Sequence, residues 1–115
     1  MGIELNRPAL ENARALVRDG KVARDERDAW SEAAPTPAQE NRFIDDHGWT
    51  AYSHWHLGVD KDADPHTKQA YSFPFGDFAR VHRSGVVAGE SRAGQYDHTA
   101  IGVELRKLRE LIDGD

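Results

Sequence analysis

Residues 77–113 read DFARVHRSGVVAGESRAGQYDHTAIGVELRKLRELID. The second half of this stretch is an amphipathic helix. From 98 to 112, Ile101, Leu105, Leu108 and Ile112 recur at i, i+4, i+7 and i+11, so one face is apolar. Asp97 stands where an N-cap belongs. The first half predicts a helix from Phe78 to about Gly94, capped by Asp77. Phe78, Val81, Gly85, Ala88 and Arg92 follow one face, and His82, Val86, Gly89 and Ala93 the adjacent one. Its three glycines each cost about 1 kcal/mol relative to alanine. A helix tolerates that where small residues let a second helix come close, and the last helix is the obvious partner. Only QYDH separates the two, so they are expected to pack as antiparallel neighbours.

Upstream, two more helices are signalled. Residues 8–19 carry Leu10, Ala13 and Val17 at helical spacing, with Asn6 as candidate cap, Pro8 in the first turn and Gly20 as the stop. In TPAQENRFIDDHG (36–48), Thr36 is the N-cap, Pro37 the first helical residue and Gln39 the partner in a capping box. Phe43 and Ile44 form its apolar edge, and Gly48 is expected to end it. Between these helices, residues 21–34 fit neither helix nor strand cleanly, and Trp30 is their expected anchor.

WTAYSHWHLGV (49–59) is dense in aromatic residues and predicts an extended segment. AYSFPF (70–75) is a second strand candidate, which Pro74 would confine to an edge. The two are expected to pair as a short hairpin across DKDADPHTK (60–68). The expected fold is therefore α+β and mostly α: about four helices, a two-stranded hairpin and a C-terminal antiparallel helix pair. No domain linker interrupts the 115 residues, which predict a single small globular domain.

Bulk properties narrow the function classes. The chain has no cysteine, which removes a disulfide framework, a thiolate metal site and a cysteine nucleophile. It carries 15 basic and 20 acidic residues, a net charge of −5. Residues 77–115 are near balance, with six basic and seven acidic residues. A nucleic-acid binder ordinarily has a basic surplus, so no nucleic-acid partner is expected. The opening MGIELNRPAL has no apolar core of a secretion signal, and no apolar run approaches the length of a membrane span. Cytoplasmic location without membrane contact is the expectation.

Three groups of side chains carry the candidate chemistry. His82 lies in the predicted helix near Asp77 and eight residues before Glu90. A histidine–carboxylate pair there is the candidate acid–base centre, although such pairs are more often structural. His54 and His56 fall on the same face if 49–59 is a strand, and two such imidazoles chelate zinc, copper or nickel when a third ligand joins them. His66, Asp60, His47 or His82 would supply it. The plainer account is a strand with Trp55 and Leu57 packed inward, His54 and His56 on the opposite face, and no metal. Asp60, Asp62 and Asp64 match the start of a calcium loop. That pattern then breaks, because Pro65 replaces the glycine at position six and Tyr71 replaces the glutamate at position twelve. The basic residues Arg80, Arg83, Arg92, Arg106, Lys107 and Arg109 are expected to form a solvated face with Glu104, Glu110 and Asp113.

The block FPFGD…V…GVVAGESRAGQ…I…L resembles a C-terminal module of phage-associated proteins, including some linked to head maturation. In that module an F-P-x-x-D segment precedes a small-residue helix ending in R-x-x-Q, and a second helix follows. Phe73, Pro74, Asp77, Arg92, Gln95 and Ile101 occupy the matching positions. With DERDAWSE (25–32) and WHLGVD (55–60), the whole chain resembles a group of small uncharacterised bacterial proteins. The resemblance implies a helix–helix unit and assigns no catalytic residue. With no complete catalytic motif, the expected role is a non-catalytic interaction or accessory module. It would act with a protein partner or by self-association as a homodimer, and no cofactor is expected. The alternatives are a small enzyme using His82 with Asp77 or Glu90, and a metal-binding protein using His54 and His56.

Overall fold

The apolar stripe of the last helix is the floor of the core. The computed structural model describes residues 2–114. In it the last helix, α5 (Thr99–Asp113), buries Ile101, Leu105, Leu108 and Ile112, each at most 2% exposed. Helix α1 (Arg7–Arg18) adds Ala9, Leu10, Ala13 and Val17 from the other side. Helix α4 (Arg83–Gln95) lies against α5 in the opposite sense. Gly89 meets Leu105, Ala93 meets Gly102, and Arg83 reaches Asp113, so positions that rise along one helix fall along the other.

The remaining elements cover this layer. Strands β1 (Glu4–Leu5), β3 (His56–Val59) and β4 (Tyr71–Pro74) form an antiparallel sheet with β3 in the centre. The β3–β4 pair is the expected hairpin, and β1 makes the sheet three-stranded rather than two-stranded. Pro74 sits on an edge strand, where its missing N–H breaks no ladder. A second sheet pairs β2 (Val22–Ala23) with β5 (Val81–His82) in parallel. Counting α2 (Trp30–Ala33) and α3 (Pro37–Ser53), five α-helices stand among the described residues where about four were expected. The ambiguous stretch 21–34 resolves into β2, a 3-10 turn at Arg27–Ala29 and α2. Among the described residues no helix is long and apolar enough to cross a membrane.

Helix α3 begins as predicted. The Thr36 hydroxyl accepts from the Gln39 N–H, and the Gln39 side chain accepts from the Thr36 N–H. Thr36→Ala removes one half of this box and should lower stability by about 1 kcal/mol, read from urea unfolding. The regular helix breaks at Gly48 as expected: that residue takes φ 89° and ψ 171°, a non-helical kink suited to glycine, and a separate helical piece continues to Ser53. The extended segment predicted from residue 49 therefore starts only at His56.

The helix predicted from Phe78 likewise begins later, at Arg83. Two ties, one local and one tertiary, prevent an earlier start. Asp77 Oδ1 accepts the N–H groups of Ala79 and Arg80, closing a tight turn in which Phe78 takes φ 71°. Val81 then donates its N–H to the Lys21 carbonyl, and His82 to that of Phe75, which commits both residues to extended backbone. Asp77 thus caps a turn and not α4.

Asp97, the expected cap of α5, takes φ 60° in the reversal between the helices, and His98 stands at the N-cap. The glycines also divide their work. Gly89 makes room for Leu105 of α5, whereas Gly85 makes room for the ring of Trp30, 3.0 Å from where a Cβ would sit. Gly94 faces open space.

Candidate functional site

His82 lies at the end of β5, with the β2 loop on one side and the turn after β4 on the other. Its Nδ1 is 2.8 Å from Asp25 Oδ2, and its Nε2 is 2.8 Å from Asp77 Oδ2. Parallel pairing of Ala23 with His82 brings Asp25 into place. Asp25 also accepts the Ser84 hydroxyl at 2.8 Å and the Ser84 N–H at 2.9 Å. Trp30 covers the imidazole, with ring centroids 6.0 Å apart.

Both imidazole nitrogens face carboxylates, so both carry protons and the ring is an imidazolium. Burial by itself works against that charge. The hydrogen bonds to Asp25 and Asp77, with their negative charges, outweigh it and raise the His82 pKa above its ordinary value. Burial would likewise raise both aspartates, but the bonds from His82, from Ser84 on Asp25 and from Arg80 and Ala79 on Asp77 hold them below the usual carboxylate range. To act as a base, His82 would first have to give up one carboxylate. The Ser84 hydroxyl is fully buried and donates to Asp25, not to the imidazole. The cluster works as a clasp that ties the Asp25 loop to the segment carrying Asp77, His82 and Ser84.

Of the two carboxylates proposed beside His82, the structure brings in Asp77 alone. Glu90 turns to α5 and accepts a bidentate pair from Arg109 at 2.7 and 3.2 Å. Asp25 escaped the sequence reading. There it stood only at the head of the DERDAWSE block, and periodicity does not reveal a partner 57 residues away.

The histidines of the 53–68 stretch do not converge. His54 caps the end of α3 and precedes the strand, so it shares no strand face with His56. His66 stacks on Trp49 in the loop. Trp55 and Leu57 are buried, but His56 is buried as well, at 3% exposure, because the rings of Tyr52 and Tyr71 pack against it on the other face. Its Nδ1 lies 2.9 Å from the Tyr52 carbonyl and donates to it, which leaves Nε2 as the basic nitrogen. Burial drives its pKa down to about 4, against the pull of the Tyr52 carbonyl and the Glu40 charge. Among the described residues no three histidine or carboxylate side chains are placed to hold a metal ion.

The aspartates of the following loop serve local turns. Asp60 accepts the Asp62 N–H, and Asp64 accepts the His66 N–H.

Two apolar concavities lie away from the clasp. One, about 320 Å³, runs along α3 between Ala38, Gln39, Arg42, Phe43, Asp46 and His47, with Phe78 closing it. Phe78 stacks on Phe43 at 4.2 Å and 8°, and His47 meets the Phe43 ring at 4.6 Å. The other, about 280 Å³, lies between α1 and α5.

Compared with known protein families, curated proteins and solved structures, the chain shows no match. Its function therefore rests on its own geometry. The basic residues of the last two helices are largely spent in pairs. Arg83 grips Asp113 at 2.7 and 3.0 Å, Arg106 lies 3.8 Å from Glu110, and Lys107 lies 3.6 Å from Glu104.

Proposed function

We propose that the chain is a small cytoplasmic, non-catalytic interaction module that receives a partner's apolar side chain in the α3 groove. The observation that carries this reading is Phe78. A bulky residue with φ 71° stores backbone strain of about 1–2 kcal/mol. The turn closed by Asp77 holds that conformation and lays the ring flat against Phe43, where the two line the groove. Gln39, Arg42 and Asp46 give the groove a polar rim around an aromatic floor, an arrangement suited to an anchoring side chain. The His82 clasp has a matching role, since it fixes the turn that presents Phe78. The resemblance of Phe73–Ile101 to the phage-associated module belongs to the same proposal, because it implies a helix–helix unit and no known activity.

Sedimentation of the pure chain, alone and with proteins captured from its host, tests the reading. The expected result is a defined complex, with a second protein or a second copy, weakened about tenfold by Phe43→Ser and by the rim variant Arg42→Glu. A chain that stays monomeric and captures nothing overturns it. So does a complex that neither substitution affects.

A further inference from the structure

The second groove has a different chemistry. Its floor is Leu108 and Leu111, and its rim is Arg14 and Arg18 of α1 with Lys107 of α5. Leu108 is buried at 1%, but Leu111 is 42% exposed. The charges around it do not cancel. Glu104 is the one carboxylate paired there among the described residues, and it is shared: Oε1 takes Arg14 at 3.0 Å and Oε2 takes Lys107 at 3.6 Å. Arg18 makes no ion pair among the described residues. The lining itself thus holds three cations and no carboxylate, on a chain whose net charge is −5. A positive rim around an exposed leucine is a local exception to the molecule's overall field.

We propose that this groove binds an acidic peptide segment of a partner protein, which sets an aliphatic side chain on Leu111 and carboxylates on Arg18, Arg14 and Lys107. Arg14 and Arg18 stand one helical turn apart, so carboxylates spaced one turn apart on the ligand reach both. Guanidinium forks match carboxylate geometry and take it in bidentate fashion. The floor is aliphatic and offers no ring on which a base would stack, which favours a peptide over a nucleic acid. The groove is separate from the one on α3, so either proposal can fail while the other stands.

The test is selection of a random-peptide display library on the full chain, followed by titration of enriched peptides by fluorescence anisotropy. The expected winners are acidic with an aliphatic anchor, and their binding weakens with rising salt. Arg18→Glu and Leu111→Ser should each weaken them about tenfold or more, whereas Phe43→Ser in the other groove should leave them unchanged. Arg18 and Leu111 are both exposed, so neither change threatens the fold, and thermal melts confirm that. No enrichment, winners that are neutral or basic, or indifference to both substitutions overturns the proposal. Two outcomes would reassign the surface and equally overturn it. One is binding to phosphatidylserine vesicles, lost in Arg18→Glu, without peptide binding. The other is concentration-dependent self-association, lost in Leu111→Ser, without peptide binding.

Discussion

Asp25→Ala should melt about 10 °C or more below the parent chain. The Asp25 carboxylate accepts three hydrogen bonds, from His82 Nδ1, the Ser84 N–H and the Ser84 hydroxyl. Removing it strands a fully buried serine and one side of a buried imidazolium. Leaving such groups unpaired costs about 3 kcal/mol, a large share of the 5–15 kcal/mol that ordinarily holds a domain together. At this chain length about 4 °C of melting temperature goes with each kcal/mol. Asp25→Asn keeps an acceptor for Ser84 but not the charge, and should fall between the two. Glu90→Gln gives the scale of an ordinary ion pair, since Glu90 and Arg109 are only part-buried and their pair is worth at most about 1 kcal/mol. Circular-dichroism melts of the four proteins decide the matter. An Asp25→Ala protein that melts with the parent would show that the clasp does not hold the fold.

Stability should fall by about 3 kcal/mol as pH drops from 6.5 to 4, and His56 should be the cause. In the folded chain burial keeps this imidazole neutral down to a pKa of about 4, whereas the unfolded chain takes up the proton near 6.5. Over that window the unfolded state binds more protons, so acid favours unfolding, by about 1.4 kcal/mol for each unit of the shift. The clasp has the opposite sign. His82 is raised, so its contribution is whole below 6.5 and is lost as pH rises through its folded value. Asp25 and Asp77 are lowered, so theirs is present above 3.8 and is lost only as pH falls through their folded values. The acid limb between 6.5 and 4 therefore belongs to His56. Urea unfolding across pH should show a maximum near 6.5 in the parent. His56→Asn, which keeps a donor for the Tyr52 carbonyl, should flatten the acid side alone, and His82→Asn the alkaline side alone. A parent equally stable at pH 4.5 and 6.5 would contradict the burial of His56.

What was legible in the sequence follows from local physics. The capping box at Thr36, the stop at Gly20 and the stripe from Ile101 to Ile112 each depend on residues within one or two helical turns. They are therefore written in short spacings, and α1, the start of α3 and α5 stand where those spacings put them. The pairing of α4 with α5 was legible for the same reason, through a short connection. Tertiary contacts decided the rest. Phe78–His82 fits a helical face by spacing, but Val81 and His82 became a strand because β2 offered them a parallel partner. Gly85 looked like a contact for α5 until Trp30, folding back from residues 21–34, took the space. His56 alternates correctly with Trp55 and Leu57, yet it is buried because Tyr52 of α3 and Tyr71 of β4 cover its face of the sheet. The clasp needed all of this at once: a parallel pair to carry Asp25 to His82, and a tight turn to bring Asp77 to its other nitrogen. A hydrogen bond between residues far apart in the chain leaves no periodic trace, because its partners meet only after the segments between them have found their own places in the core.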